Sequence, residues 1–246
     1  MAEGSSEGFF GERVASVYDE RAADMFEPAV VGPVVELLAE LAGRGGALEL
    51  GIGTGRIALP LAERGVRVAG IDSSDAMVSR LRAKPGGEGI EVEIGDFATT
   101  RVAGEFSLVY LVFNTIFNLV TQDAQVACFE NAAAHLRSGG RFVIETGVPG
   151  LQSLPLGQTI VPFRADPEGI SVDVYDVVTQ RFSSQHYIFA EGRVESRPVE
   201  FRYAWPAELD LMARIAGLTL ESRWAGWQRQ PFTSLSTAHV SVYAKP

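Results

Sequence analysis

Residues 48–55, Leu48-Glu49-Leu50-Gly51-Ile52-Gly53-Thr54-Gly55, set glycines at alternate positions directly after an apolar run, and Ile71-Asp72 follows one amphipathic segment later. A backbone without Cβ atoms takes positive φ and lets a ligand lie against main-chain N–H groups. A carboxylate at the end of the next strand falls where a ribose diol is held in open α/β sheets. Together they mark a nucleoside-containing cofactor. A dinucleotide fingerprint begun at Gly51 fails, because its third glycine position holds Arg56; begun at Gly53, the run Gly53-Thr54-Gly55-Arg56-Ile57-Ala58 fits the looser form. Glu49 tilts the balance, since an acid there repels a pyrophosphate but can reach the amino-acid end or sugar of another cofactor. Asp96-Phe97 adds an acceptor for an adenine amino group beside an aromatic ring. The competing reading of Asp96 is an ordinary turn or helix cap.

These residues need a scaffold that presents them at successive strand ends. From about residue 28 to 146, short β-branched runs alternate with longer helical periodicities, a βαβ rhythm that implies a parallel sheet. The pattern predicts a helix from Pro28 or Pro33 to the glycines at 43–46, strands at 47–51 and 66–71, and helices at 56–64 and 74–84. Further strands are predicted at 90–94 and 106–112, the latter apolar enough to lie buried on both faces. A helix at 121–136 should be stopped by Ser138-Gly139-Gly140 ahead of a strand at 141–145. Between about 150 and 204 the rhythm changes. Val172/Val174 and Tyr187/Phe189 alternate with polar residues and Glu191-Gly192 reads as a turn, which predicts three or four inserted antiparallel strands. A helix after Trp205-Pro206, ending at Gly217, and strands near 218–224 and 237–244 should close the sheet. The domain reading is an N-terminal segment 1–27, an α/β domain of 28–149 and 205–246, and the insertion 150–204, placed above the carboxyl ends of the parallel strands as a substrate cover or an oligomer contact.

With 246 residues, 46% of them hydrophobic, the chain can bury a full core, and its net charge of -10 argues against a nucleic-acid partner, which needs clustered Lys and Arg. Neither an export signal nor a membrane span is read, and a single cysteine, Cys128, excludes an internal disulfide; cytoplasmic location is the expectation. Cys128 reads as a buried small hydrophobe. No spacing of Asp, His and Cys resembles a metal site.

Over essentially its whole length the chain resembles the class I S-adenosylmethionine-dependent methyltransferases, on the glycine motif and Asp72. Val17-Tyr18-Asp19, Phe113-Asn114-Thr115-Ile116-Phe117-Asn118 and Leu211-Met212-Ala213-Arg214-Ile215-Ala216-Gly217 make it similar to actinobacterial natural-product N-methyltransferases of aminosugar, lincosamide and peptide α-N types. The resemblance implies a Rossmann-like sheet with helices on both faces, and S-adenosylmethionine as cofactor with S-adenosylhomocysteine as product. Glu49, Gly51, Gly53 and Gly55 would then surround the methionyl part and Asp72 the ribose. Ser73 and Met77 would flank the adenosine, Asp96 and Phe97 would hold adenine, and Phe113 would lie beside the methionyl chain. The aromatic start, with Phe9, Phe10 and Tyr18, corresponds to a segment that often folds over the cofactor.

Methyl transfer from a sulfonium is an in-line displacement on an activated carbon, so alignment and exclusion of water supply most of the acceleration. An amine need only arrive neutral, which a poorly hydrated pocket favours. Aromatic walls attract the sulfonium carbon; Tyr18, Phe113 and Phe117 are the candidates, with core packing as the alternative use of Phe117. His186, in the inserted strands, is a candidate proton relay or an exposed strand residue. His135 reads as a solvated or dipole-paired residue at a helix end, and His239 as structural. Asn114, Thr115 and Asn118 could orient an acceptor or complete a turn, and Glu145 could take a substrate ammonium or hydroxyl or serve packing. Trp205, Trp224, Trp227, Tyr203 and Phe232 are core, acceptor pocket or oligomer contact. The expectation is N-methylation of a small-molecule amine, with a homo-oligomer possible. O-methylation is the rival, and a non-catalytic cofactor-binding protein on the same fold stands as an alternative from another class.

Overall fold

The computed structural model describes residues 10–190 and 193–246, so Phe9 and the turn expected at Glu191-Gly192 lie outside the described residues. Its centre is a seven-stranded sheet built from β1 (Ala47–Leu50), β2 (Val68–Asp72), β3 (Glu91–Ile94), β4 (Phe106–Leu111), β5 (Leu136–Gly147), β10 (Thr219–Trp224) and β11 (Ala238–Ala244), in the order β10-β11-β5-β4-β1-β2-β3. Strands β1 to β5 are parallel to one another; β11 runs antiparallel between β5 and β10. The chain winds outward from β1 to β3 and then crosses back to β4 on the other side of β1. Strand order therefore reverses between β1 and β4, and ligands of open α/β sheets bind at the carboxyl ends of the strands at such a point.

Helices cover both faces because the central strands are apolar on both. All six residues of β4 are buried. On one face lie α3 (Pro28–Ala42), α4 (Ala58–Glu63) and the Leu81 side of α5 (Asp75–Arg82), where Val34, Leu38, Ile57 and Leu61 pack against Leu108, Tyr110 and Val143. On the other lie α6 (Gln122–His135) and α7 (Pro206–Ile215), with Phe129 and Met212 against Leu48, Phe142 and Ile144. Local chemistry sets the ends. Pro28 and Pro206 occupy first-turn positions that need no N–H, and Ser74 and Thr121 cap α5 and α6 through their hydroxyls. At the other end α6 stops at His135, before the expected stop at Ser138-Gly139-Gly140: Leu136 is already extended and pairs with Phe106. Those glycines instead lie inside β5, where Gly139 sits at φ 73 beside a register shift in the pairing with β4.

Gly70, in the middle of β2, lies directly beneath the glycine loop. A Cβ there would stand 2.4 Å from Cδ1 and 2.8 Å from Cβ of Ile52. Gly70→Ala is expected to cost about 1–3 kcal/mol by overpacking, read as a lowered urea midpoint at unchanged slope; an unmoved midpoint would show that Ile52 yields.

The insertion is a separate antiparallel sheet of β6 (Ile160–Asp166), β7 (Gly169–Asp176), β8 (Arg181–Ala190) and β9 (Arg193–Arg202), in sequence order. Phe182 stacks between Tyr175 and Phe201, with 5.1 Å between centroids on each side, and meets the edge of Phe117 beyond β4 at 6.2 Å. The sheet is also pinned from below. Arg202, 4% exposed, pairs with Glu208 of α7 at 2.7 Å and donates to Gln125 of α6. These contacts set the aromatic end of the insertion against the turn that follows β4, at the carboxyl ends of the parallel strands.

Candidate active site

The loop after β1 is locked before any ligand arrives. Gly51 and Ile52 both donate backbone N–H bonds to the Ile71 carbonyl, at 2.8 and 3.1 Å. Asp72, at the end of β2, accepts from Gly53 N–H at 2.7 Å through Oδ2 and from Ser74 N–H at 2.9 Å through Oδ1. Burial raises its pKa, and the two amides pull it back down. Gly51 and Gly53 take φ 71 and 55, a region costly for other residues, and a Cβ on Gly51 would lie 2.7 Å from Cγ2 of Thr115 across the crevice.

A crevice opens above this loop, lined by Phe10, Tyr18, Gly51, Gly53, Asp72, Ser73, Met77, Phe97, Thr115 and Asn118. Its outer wall is the segment from Phe10 through α1 (Glu12–Ala15) to α2 (Tyr18–Arg21). That strap is tied down at both ends. The Phe10 carbonyl accepts from Ser74 Oγ at 2.6 Å, and Asp19 accepts from Thr54 Oγ1 at 2.6 Å while pairing with Lys84. Phe10 and Tyr18 meet edge to face, 6.3 Å between centroids, and burial raises the pKa of the Tyr18 phenol, so it stays protonated at neutral pH.

Of the residues singled out from sequence, Phe10, Tyr18, Gly51, Gly53, Asp72, Ser73, Met77, Phe97, Thr115 and Asn118 thus share one crevice. Glu49, Gly55, Asp96, Phe113, Phe117 and His186 do not line it. Glu49 is 3% exposed beneath the loop, accepting from the Tyr110 hydroxyl at 2.9 Å. Gly55 packs against α5, where an added Cβ would meet Leu81 at 3.0 Å. Asp96 is exposed and turns back on its own chain, accepting from Ala98 N–H at 2.8 Å. Phe113 lies at the surface, and Phe117, in the turn Thr115–Asn118, is in the core with its ring against Phe182. His186 is bonded to Ser171 at 3.0 Å on the neighbouring strand and sits edge-on to Phe163, because its strand parity puts it with Ser184 and Phe182 on one face of the insertion. Burial lowers its pKa. Among the histidines expected to be structural or solvated, His135 is buried and accepts from Val102 N–H, and His239 is fully buried beside Ser241. Cys128 is fully buried, with its thiol pKa pushed up by desolvation.

Two features escaped the sequence reading. Arg56, next after Gly55, donates to the Met25 carbonyl at 3.2 Å and lies 4.9 Å over the Phe113 ring. A cation just ahead of a helix N-terminus opposes the helix dipole, and that mismatch is the signal that could have drawn attention to it. Phe113 and Asn114 are both left-handed, at φ 58, which is strained for a phenylalanine. Glu145 supports that turn: one oxygen accepts from Phe113 N–H at 2.9 Å and the other from Trp227 Nε1 at 2.7 Å.

A sheet of this order, with a glycine loop and an acid at its reversal point, is the fold of the class I methyltransferases. Comparison with known proteins agrees. Residues 47–140 match the model of a methyltransferase domain family. The CcbJ methyltransferase of Streptomyces caelestis is 38% identical, with a TM-score of 0.85 over 98% of this chain and 99% of that one. The cypemycin N-terminal methyltransferase of a Streptomyces species is 28% identical over 238 residues, 92% of this chain and 97% of that protein. CalS10, an S-adenosylmethionine-bound amino pentose methyltransferase of Micromonospora echinaspora, shares the fold at 20% identity, with a TM-score of 0.68 over 92% of this chain and 96% of that one. The chain belongs to the S-adenosylmethionine-dependent methyltransferases.

The crevice fits that donor. The floor at Gly51 and Gly53 is bare backbone, and each Asp72 oxygen, having taken one amide, keeps a second acceptor site for a diol hydroxyl. S-adenosylmethionine supplies a methyl group already activated on a sulfonium; the chain has to hold it, exclude water and present a nucleophile.

Proposed function

We propose that this enzyme methylates an amine nitrogen of a small natural-product intermediate. Asp72 holds the ribose, Ser73, Met77, Phe97 and Asp96 surround the adenosine, and Glu49, Phe113 and the glycines serve the methionyl end. Tyr18 and Phe117 shape the acceptor side, and the insertion covers the acceptor, with His186 available to pass its proton outward. The observation that carries the amine reading is the chemistry of the crevice wall. Its polar side chains are a phenol kept neutral by burial, two hydroxyls, an amide, and a carboxylate already engaged by two loop amides. Such a wall suits a nucleophile that arrives with its own lone pair, whereas a hydroxyl acceptor needs a base to remove its proton. The cypemycin N-terminal methyltransferase, matched across nearly its whole length, is named for an amine substrate of the same chemistry.

The test is turnover of S-adenosylmethionine on a panel of matched amines and phenols, followed by mass shift of the acceptor. Methylation of amines alone is the expected result. Methylation confined to phenols or alcohols would overturn the assignment.

A further inference from the structure

The turn Thr115–Asn118 and the residue before it carry three short polar side chains that could each have met a ligand, and the structure commits two of them elsewhere. Asn114 Oδ1 accepts from Gly147 N–H at 2.6 Å, tying the turn to β5. Thr115 Oγ1 donates to the Val112 carbonyl at 2.7 Å. Asn118 differs. Its Nδ2 donates to the Thr115 carbonyl at 3.1 Å, while its Oδ1 is buried and has no hydrogen-bond partner among the described residues. The bond to Thr115 also settles the orientation of the amide, because the flipped form would set two oxygens against each other.

A buried acceptor left bare costs stability, so its partner is to be sought in what fills the space beside it. Asn118 lines the crevice with Tyr18, Asp72 and Phe97. The other buried side-chain atoms without a partner, on Asn131, Asp173 and His239, belong to residues that do not line it. A bound ligand that carries an N–H or O–H donor into the crevice would satisfy this oxygen. Two ligands bring N–H donors here, the cofactor and the acceptor. The turn that holds Asn118 also holds Phe117, whose ring meets Phe182 of the insertion, so Asn118 stands where the glycine-loop crevice and the inserted sheet adjoin.

We infer that Asn118 Oδ1 accepts a hydrogen bond from the N–H of the acceptor amine and so turns its lone pair toward the methyl group. This rests on the amine reading above and adds a specificity to it. The acceptor nitrogen must keep one hydrogen after its lone pair is committed, so primary and secondary amines are substrates and tertiary amines are not. In the transfer, the amine lone pair forms the new N–CH3 bond and sulfur recovers the electron pair of the breaking S–CH3 bond. The N–H bonded to Asn118 stays on the product ammonium until its proton passes outward, to water directly or by way of His186.

Asn118→Ala is expected to raise the amine KM about tenfold, the loss of one hydrogen bond to a buried acceptor site, while the Kd for S-adenosylhomocysteine by calorimetry stays within about twofold of wild type. Asn118→Asp keeps the accepting oxygen but sets a second oxygen against the Thr115 carbonyl, so it is expected to recover at most part of the lost KM. A fall in S-adenosylhomocysteine affinity with the amine KM unmoved would assign Asn118 to the cofactor and overturn the inference, as would an alanine variant unchanged in both. Efficient quaternisation of a tertiary amine by the wild type would overturn it too. A wild type that methylates no amine on the panel defeats the amine reading and this inference together, whereas an active wild type with an indifferent Asn118 defeats this inference alone.

Discussion

Asp72→Ala is expected to weaken S-adenosylmethionine binding by roughly a hundredfold or more, and it should do so by two routes at once. The carboxylate is the intended partner of the ribose hydroxyls, and hydrogen bonds to a charged group contribute about 1.5–3 kcal/mol each. It also holds the loop, since Gly53 N–H and Ser74 N–H are both bonded to it. Removing it releases the amide at the centre of the glycine turn and the residue that caps α5, so the apo protein should lose about 1–2 kcal/mol as well. Asp72→Asn separates the routes. Its one remaining oxygen keeps one loop amide while its NH2 faces the other N–H, so affinity should fall less than in the alanine variant and stability should hold closer to wild type. Calorimetry with S-adenosylhomocysteine, paired with thermal unfolding of the apo forms, reads both quantities. An alanine variant that binds like wild type would remove Asp72 from the cofactor site. Because burial raises the Asp72 pKa above 3.8, its affinity contribution should fade with falling pH sooner than a solvated aspartate's would.

The parts of this molecule that were legible in its sequence are those whose cause is local. The helix Pro28–Ala42 announced itself through proline at its start, apolar spacing along it and glycine after it. The strand Phe106–Leu111, buried along its entire length, was recognisable as an unbroken apolar run. The loop and Asp72 form a unit within one strand-turn-helix-strand stretch, so their spacing alone brought them together. What stayed hidden depends on residues far along the chain. Glu49 was legible as an acid ahead of the glycines, but its bond to Tyr110 was not, because only the pairing of β1 with β4 lays Tyr110 beside it, at the register Glu49↔Tyr110. His186 required knowledge of which face of the insertion turns toward Phe117, and that follows from strand pairing rather than from alternation. Asn114, Thr115 and Asn118 were indistinguishable as types; only Gly147, from β5, and the Val112 carbonyl decide which of them keeps an open acceptor among the described residues.

Glu49→Gln should make the protein's stability nearly independent of pH where wild type loses it, and should leave the Gln form more stable by on the order of 2–4 kcal/mol at pH 8.5. The carboxyl is enclosed, with the Tyr110 hydroxyl on one oxygen, the Ala58 amide also donating to it, and Asp72 nearby adding negative charge. Burial dominates and pushes its pKa from 4.5 up to about 8. A carboxyl whose folded pKa exceeds its unfolded one binds more protons in the native state. Its contribution is therefore fully present below pH 4.5 and drains away as pH rises toward and through about 8, where the buried group must ionise. Glutamine reproduces the neutral form, its oxygen accepting from Ala58 and its NH2 donating to the Tyr110 oxygen, so the two proteins should unfold alike near pH 4.5 and diverge steadily above it. Urea unfolding at intervals from pH 4.5 to 8.5 measures that divergence, and parallel curves would show that the carboxylate is solvated or paired in the native state. The same variant tests the site. If Glu49 neutralises the positive methionyl end of the donor, binding should lower its pKa and release a proton, so wild-type affinity for S-adenosylmethionine should rise with pH while that of Glu49→Gln stays flat. A variant with unaltered affinity and a flattened stability profile would make Glu49 a strut of the fold beneath the loop, and would leave Asp72 as the carboxylate that serves the cofactor.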